Sequence, residues 1–194
     1  MEKLQISELY SLEQYHRIRP DFRSKVMAHK RNRKVSLGEY ATLYFEDTLT
    51  MKYQVQEMLR VERIFEEEGI VEELETYNPL IPDGSNLKAT FMLEYADIYQ
   101  RRQELGKLVG VEDKVWARVG DFDKVFGIAN EDLERSTQEK TSSVHFMRFE
   151  FTDEMVAALK QGSDLAFGVD HEHCKESVNP VPQATREALL ADFN

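Results

Sequence analysis

Lys34-Val35-Ser36-Leu37-Gly38-Glu39-Tyr40-Ala41-Thr42-Leu43-Tyr44-Phe45-Glu46 decides the fold class. Polar and apolar side chains alternate from Lys34 to Leu37, and the run from Ala41 to Glu46 keeps enough of that two-residue period to read as a second strand. Gly38 breaks the pattern, and the break is short enough to send the second strand back beside the first. The same signature recurs from Lys114 to Val119 and from Lys124 to Ala129, two strands about the hairpin-type turn Gly120-Asp121. Leu87 to Tyr95, Val144 to Phe151 and Leu165 to Val169 also read as strands. Connections of hairpin length outnumber regular strand–helix alternation. The expected fold is therefore α+β, a mostly antiparallel sheet with helices packed on it in a single domain, rather than a doubly wound nucleotide fold.

The helices are read from caps and period. Ser7 opens a short helix from Glu8 to Tyr15, and Pro20 opens a second, basic one that runs to Arg33. Glu46-Asp47-Thr48 reads as a turn into a further extended piece, Leu49 to Tyr53. From Val55 a helical period takes over, with Met51, Val55, Met58, Leu59 and Phe65 in one apolar sector until Gly69 stops the run. Ile70 to Tyr77 is an acidic helix. The Tyr77 to Pro82 loop that follows is stiffened by Pro79 and Pro82, so it is expected to be ordered and to border whatever cleft exists. Asp97 to Leu108, Asp153 to Gln161 capped by Thr152, and Gln183 to Phe193 complete the helices, with a polar helix expected between Asn130 and Ser143.

Composition sets the broad class. A chain of 194 residues with 41% hydrophobic and 31% charged side chains is globular and suits one domain. The lone Cys174 excludes an internal disulfide framework, Met1 to Tyr10 has no leader pattern, and no stretch reaches the ~18 apolar residues of a membrane span. A cytoplasmic protein with no membrane association is expected. The net charge of −11 argues against nucleic acid as a ligand, since duplex binding rests on many cationic contacts.

Charge is unevenly placed. Eight basic residues fall between Arg17 and Lys34 against Asp21 alone, and eight acids fall between Glu57 and Glu75 against Arg60 and Arg63. Arg23, Lys30, Arg31 and Arg33 are expected to dock an acidic surface, either the Glu66 to Glu75 helix of a second copy in a homodimer or a protein partner.

Arg19-Pro20-Asp21-Phe22-Arg23, the stretch Gln54 to Ile64, and Glu75-Thr76-Tyr77-Asn78-Pro79-Leu80-Ile81-Pro82 together resemble the bacterial DUF3501 family. The resemblance extends to Gly168-Val169-Asp170-His171 and leaves Asn130 to Ser143 unmatched. It implies no established activity. Genes of the family lie beside those for rubrerythrin-like di-iron proteins and iron–sulfur oxidoreductases, which implies a redox or iron protein as partner.

The chain carries no GxxxxGK[ST], GxGxxG, GxSxG, HExxH or CxxC pattern. One cysteine cannot hold an iron–sulfur cluster, and there is no pair of ExxH helices for a di-iron bundle. Three features remain. Glu62 falls inside the apolar sector of its helix and is expected to face the core or a cleft, where a carboxylate needs a cation or a donor. His145 shares a strand face with Met147, Phe149 and Phe151 and reads as a satisfied core histidine, while Arg148 and Glu150 on the other face read as a salt bridge or a pocket lining. Asp170-His171-Glu172-His173-Cys174 is the one cluster with ligand chemistry: His171 and His173 project from one side of an extended chain, and with Asp170 or Glu62 they could complete a zinc or iron shell. Two functions follow. The first is a non-enzymatic accessory or binding protein acting with a redox or iron partner. The alternative is a metal-dependent enzyme using His171.

Overall fold

The computed structural model describes residues 3–133, 135–137 and 139–193. The quoted stretch forms strands β1 (Lys34–Leu37) and β2 (Ala41–Phe45), paired antiparallel with Val35 opposite Leu43. Gly38 takes φ +72 at the turn, a left-handed angle that side chains with a Cβ rarely adopt. β3 (Asn86–Leu93) and β7 (Val144–Glu150) continue the sheet antiparallel. Four more strands are β4 (Val115–Val119), β5 (Val125–Phe126), β6 (Ile128–Ala129) and β8 (Leu165–His171), and the last is β9 (Cys174–Val178). They form two antiparallel sheets, ordered β1-β2-β3-β7-β6 and β5-β4-β8-β9, where a single sheet was expected. The Lys124 to Ala129 run explains the second. It divides at Gly127, so that β5 pairs with β4 in one sheet and β6 pairs with β7 in the other. A Cβ at Gly127 would press on the Phe149 ring at 3.1 Å, and glycine permits the crossing.

The sheets face each other across one core. Phe45 and Phe149 of the first sheet meet Phe167 of the second at ring separations of 4.8 and 5.7 Å. Helices α4 (Ile98–Lys107), α5 (Asp153–Lys160) and α6 (Gln183–Leu190) add Leu105, Leu159 and Leu189 to this core. Three further helices build a second apolar cluster: α1 (Leu12–Arg31), α2 (Thr48–Glu62) and α3 (Glu67–Tyr77). Its buried members are Leu4, Met51, Val55, Leu59, Leu74 and Ile81.

Several expected boundaries move. Pro20 lies inside α1, which begins at Leu12 under a Ser11 cap, while only a short 3-10 turn, Ile6–Glu8, precedes it. The proline ring is exposed, and burial of Tyr15 and Val26 on the opposite face outweighs the one lost backbone bond. Leu49 to Tyr53 is helical rather than extended. Asp47 is the cap: Thr50 N–H donates to Asp47 Oδ1 at 2.9 Å, and Asp47 N–H donates to Thr50 Oγ1 at 2.9 Å. The helix stops at Glu62 because Arg63 turns left-handed at φ 58, so the apolar sector does not extend to Phe65, which is exposed. Among the described residues between 130 and 143 there is no helix, and the strand expected to end at Val169 continues into a hairpin, with β8 running to His171 and β9 starting at Cys174.

Candidate functional site

The first sheet buries Leu43, Phe45, Ala89, Phe91 and Met147 in the core, so the alternate residues Thr42, Tyr44, Thr90, Met92, Phe146 and Arg148 point the other way. Helices α1 to α3 pass over this outer face without filling it. Two adjoining clefts result, joined at Tyr77, Leu80 and Phe146. Tyr77 and Leu80 of the Tyr77 to Pro82 loop form their shared border and Pro79 lines one of them, with a 3-10 turn over Asn78–Leu80. Asn78 holds the loop in place through two bonds to the backbone of Leu4, at 2.8 and 3.0 Å.

One cleft is charged and self-neutralised. It encloses about 450 Å³ between the loop and residues 131–133, 135 and 146–148. Arg148 donates to both oxygens of Glu131, at 2.9 and 2.8 Å, and to Glu150 at 2.6 Å. Arg135 holds Asp132 by two 2.5 Å bonds and lays its guanidinium 4.6 Å from the centre of the Phe146 ring. Lys88 donates to the Pro79 carbonyl at 2.6 Å. These pairings hold Glu131, next to Arg148, and Asp132, next to Arg135, below the usual carboxylate range, while burial lowers Lys88.

The other cleft is mainly apolar and encloses about 420 Å³. Met27, Met51, Met92, Val144, Phe146 and Leu80 line it, with Tyr44, Gln54 and Lys30 among the polar contributors. Glu46 also lines it, at 4% exposure. Its Oε1 accepts from the Thr90 hydroxyl at 2.8 Å, and its backbone is fixed by Lys88 and Arg33. Its Oε2 is buried without a hydrogen-bond partner among the described residues. A buried carboxylate oxygen without a donor is costly, and such atoms are rare in folded proteins. Glu46 extends the outward alternation of Thr42 and Tyr44, the one sequence signal that could have pointed to it.

Arg33 sits behind this cleft, 2% exposed. It donates to the carbonyls of Phe45 at 3.2 Å, Glu46 at 3.1 Å and Ala188 at 2.8 Å, and it pairs with Asp192. Its Nε is 3.4 Å from Asp47 Oδ2, and His29 Nε2 reaches the same oxygen at 2.5 Å. Burial alone would raise Asp47, but Arg33, the Thr50 N–H and His29 hold it below its ordinary value. Burial pushes Asp192 up to about 6 against the pull of Arg33.

The expected docking residues therefore separate. Arg23 and Arg31 are exposed on α1, Lys30 lines the apolar cleft, and Arg33 is a buried cation with no access to a partner. Its place at the polar edge of β1 matched the basic run, yet the alternation that buries Val35 and Leu37 buries Arg33 too.

The expected metal ligands are also divided. His171 is 7% exposed, donates from Nε2 to the Val109 carbonyl at 3.1 Å and accepts at Nδ1 from the His173 N–H at 3.2 Å, so both ring nitrogens are engaged. The two imidazoles are close, with centres 5.8 Å apart, but Asp170 pairs with Lys124 at 2.6 Å. Glu62 was expected to face the core or a cleft; as the last residue of an α2 that ends early, it is exposed. Its field, after burial, helps raise Glu73, another carboxylate. Among the described residues no three His, Cys, Asp or Glu side chains are grouped to hold a metal ion.

His145 is fully buried, as read. Its Nδ1 is 3.0 Å from Asn130 Nδ2, its Nε2 is 2.9 Å from Thr141 Oγ1, and burial lowers its pKa. No described helix is long and apolar enough to cross a membrane.

The DUF3501 family model, described as a protein of unknown function, matches residues 3–193. A crystal structure of a novel protein of unknown function from Burkholderia pseudomallei is similar at 47% identity, with a TM-score of 0.94 and all of both chains covered. None of the curated proteins matches the chain.

Proposed function

The chain belongs to the DUF3501 family, of unknown function, and from that premise we propose that it is a non-enzymatic accessory or binding protein that holds a small organic molecule in the cleft beneath α1 and α2. One observation carries the reading: the Glu46 carboxylate is buried in a mainly apolar cleft with an oxygen unfilled. A cavity of 300–1,000 Å³ with apolar walls and a few placed polar groups is the usual form of a small-molecule site. The neighbouring charges of Arg148, Arg135, Glu131 and Asp132 satisfy one another, which leaves Glu46 as the group that a ligand would complete.

A neutral naphthylamine dye whose emission rises in apolar surroundings tests this. It should bind the wild-type chain at one site, and Met27→Trp should abolish the signal without lowering the melting temperature. Met27 stands at the cleft mouth with 37% exposure, so the indole can fill the cleft without straining the fold. Equal dye binding by the two proteins would remove the reading.

A second reading rests on charge. α1 and α3 both contact α2; Arg19 of the basic block pairs with Glu57 of the acidic block at 2.7 Å, but among the described residues α1 and α3 form no ion pair with each other, and Arg23 and Arg31 remain exposed. This supports docking of α1 on an acidic surface, of a second copy or of the rubrerythrin-like or iron–sulfur redox partner that the family resemblance implies. A zinc or iron enzyme at His171 would have to displace both hydrogen bonds of that ring, and no observation favours it.

A further inference from the structure

We infer that the apolar cleft takes an amphipathic primary amine, its ammonium on Glu46 and its hydrocarbon body along Met51, Met92 and Phe146. The inference rests on the reading of this cleft as a small-molecule site and adds the ligand's chemical class.

Three observations lead to it. The first is the carboxylate. Glu46 is 4% exposed, Thr90 fills one oxygen at 2.8 Å, and the other has no donor. A carboxylate accepts and cannot donate when ionised, so its complement is a group rich in N–H or O–H, and a cation satisfies both hydrogen bond and charge. Arg33, the buried cation next to it, directs its guanidinium to the Glu46 carbonyl and to Asp192 rather than to this carboxylate.

The second is the wall. Three unbranched thioethers, Met27, Met51 and Met92, join Val144, Leu80 and Phe146 in an adaptable apolar surface. That surface suits an alkyl or aryl chain.

The third is the rings. Aromatic faces attract cations, and the rings of this lining already do so: Lys34 Nζ lies 5.3 Å from the centre of Tyr44, and Arg135 covers Phe146. Tyr77 completes the aromatic set on the loop side. A cationic headgroup is thus compatible with the rings that line the cleft, while an anion there would meet the Glu46 carboxylate. Lys30 is the one cation of the lining, and it offsets the charge of the cleft without supplying the missing bond to Glu46.

Calorimetric titration of the full chain at pH 7 with hexylamine, hexanol and hexanoate tests the inference. Hexylamine should bind once per chain about tenfold or more tighter than hexanol, as a charge-assisted bond to a buried acceptor implies, and hexanoate should give no heat. Glu46→Gln should bring the amine down to the level of the alcohol; Glu46→Asp, which keeps the charge, should retain part of the preference and guards against a folding defect in the first variant. Equal affinities for amine and alcohol in the wild type, or a preference that survives in Glu46→Gln, would overturn the ligand class while the dye experiment still upholds the cleft as a binding site. Failure of the dye to distinguish Met27→Trp from wild type would overturn both.

Discussion

Arg33 donates to three carbonyls, those of Phe45, Glu46 and Ala188, and faces two carboxylates, Asp47 and Asp192. Removing a cation from such a site leaves buried anions and carbonyls without donors. Arg33→Met is expected to cost about 3–5 kcal/mol in urea unfolding, several times more than Arg31→Met on the exposed end of α1. The pH dependence follows from Asp192. Its pKa is raised in the folded state, to about 6 against an ordinary 3.8, so its contribution is fully present below about pH 4 and is lost as pH rises through about 6. Asp47 is lowered and acts in the opposite sense, losing its contribution as pH falls below the ordinary value. Wild type minus Asp192→Asn should therefore fall, by an amount on the order of 3 kcal/mol, between pH 4 and pH 7; a difference independent of pH would refute the assignment. Strand alternation hints at the placement of both Arg33 and Glu46, but their surroundings are not legible in the chain alone. Arg33 sits in a run of eight basic residues whose other members are mostly on the surface, and only the return of the C-terminal segment to the β1 edge makes it a core residue. Glu46 reads as the start of a turn, and its cleft exists because three helices, distant in sequence from β7, arch over the sheet.

At the scale of elements, the strands were legible where burial alternates. β1, β3 and β7 show that alternation almost without break, and the hairpin connections follow from it. The helices were legible in type and less so in extent, because a cap such as Asp47 can be read as a turn and Pro20 as a start. β9 was lost because its residues are mostly exposed and polar: an edge strand borrows its conformation from β8 rather than from its own side chains. Gly168 in β8 shows how tightly such a pair is fitted. On the face of the second sheet opposite its core, Trp116 lies across from it, beneath Lys124 at 4.2 Å. A Cβ at position 168 would fall 2.3 Å from the indole and 2.8 Å from the Glu176 carbonyl. Gly168→Ala is expected to cost ~1–3 kcal/mol in chemical denaturation, with a smaller cost in a Trp116→Leu background. The same cost in both backgrounds would place the conflict at the Glu176 carbonyl instead of the ring.

At the scale of the whole molecule, a net charge of −11 coexists with a basic helix; Arg19 of α1 is paired with Glu57 of α2, but among the described residues the opposed faces of α1 and α3 make no ion pair. If these faces govern association, Arg23→Glu with Arg31→Glu should reduce it in sedimentation, and rising salt should reduce wild-type association toward the same level. A wild-type profile unchanged by either treatment would leave α1 as a solvated surface. The bond from Arg33 to Ala188 and Asp192 carries a further consequence, in time rather than space. The hairpin of β1 and β2 emerges early in synthesis, and its buried guanidinium has no complete set of acceptors until α6 has been made. The first strands to be spelled out are thus among the last to be sealed, and a nascent chain stopped before Ala188 should remain open to protease at Arg33, a residue that in the finished protein is 2% exposed.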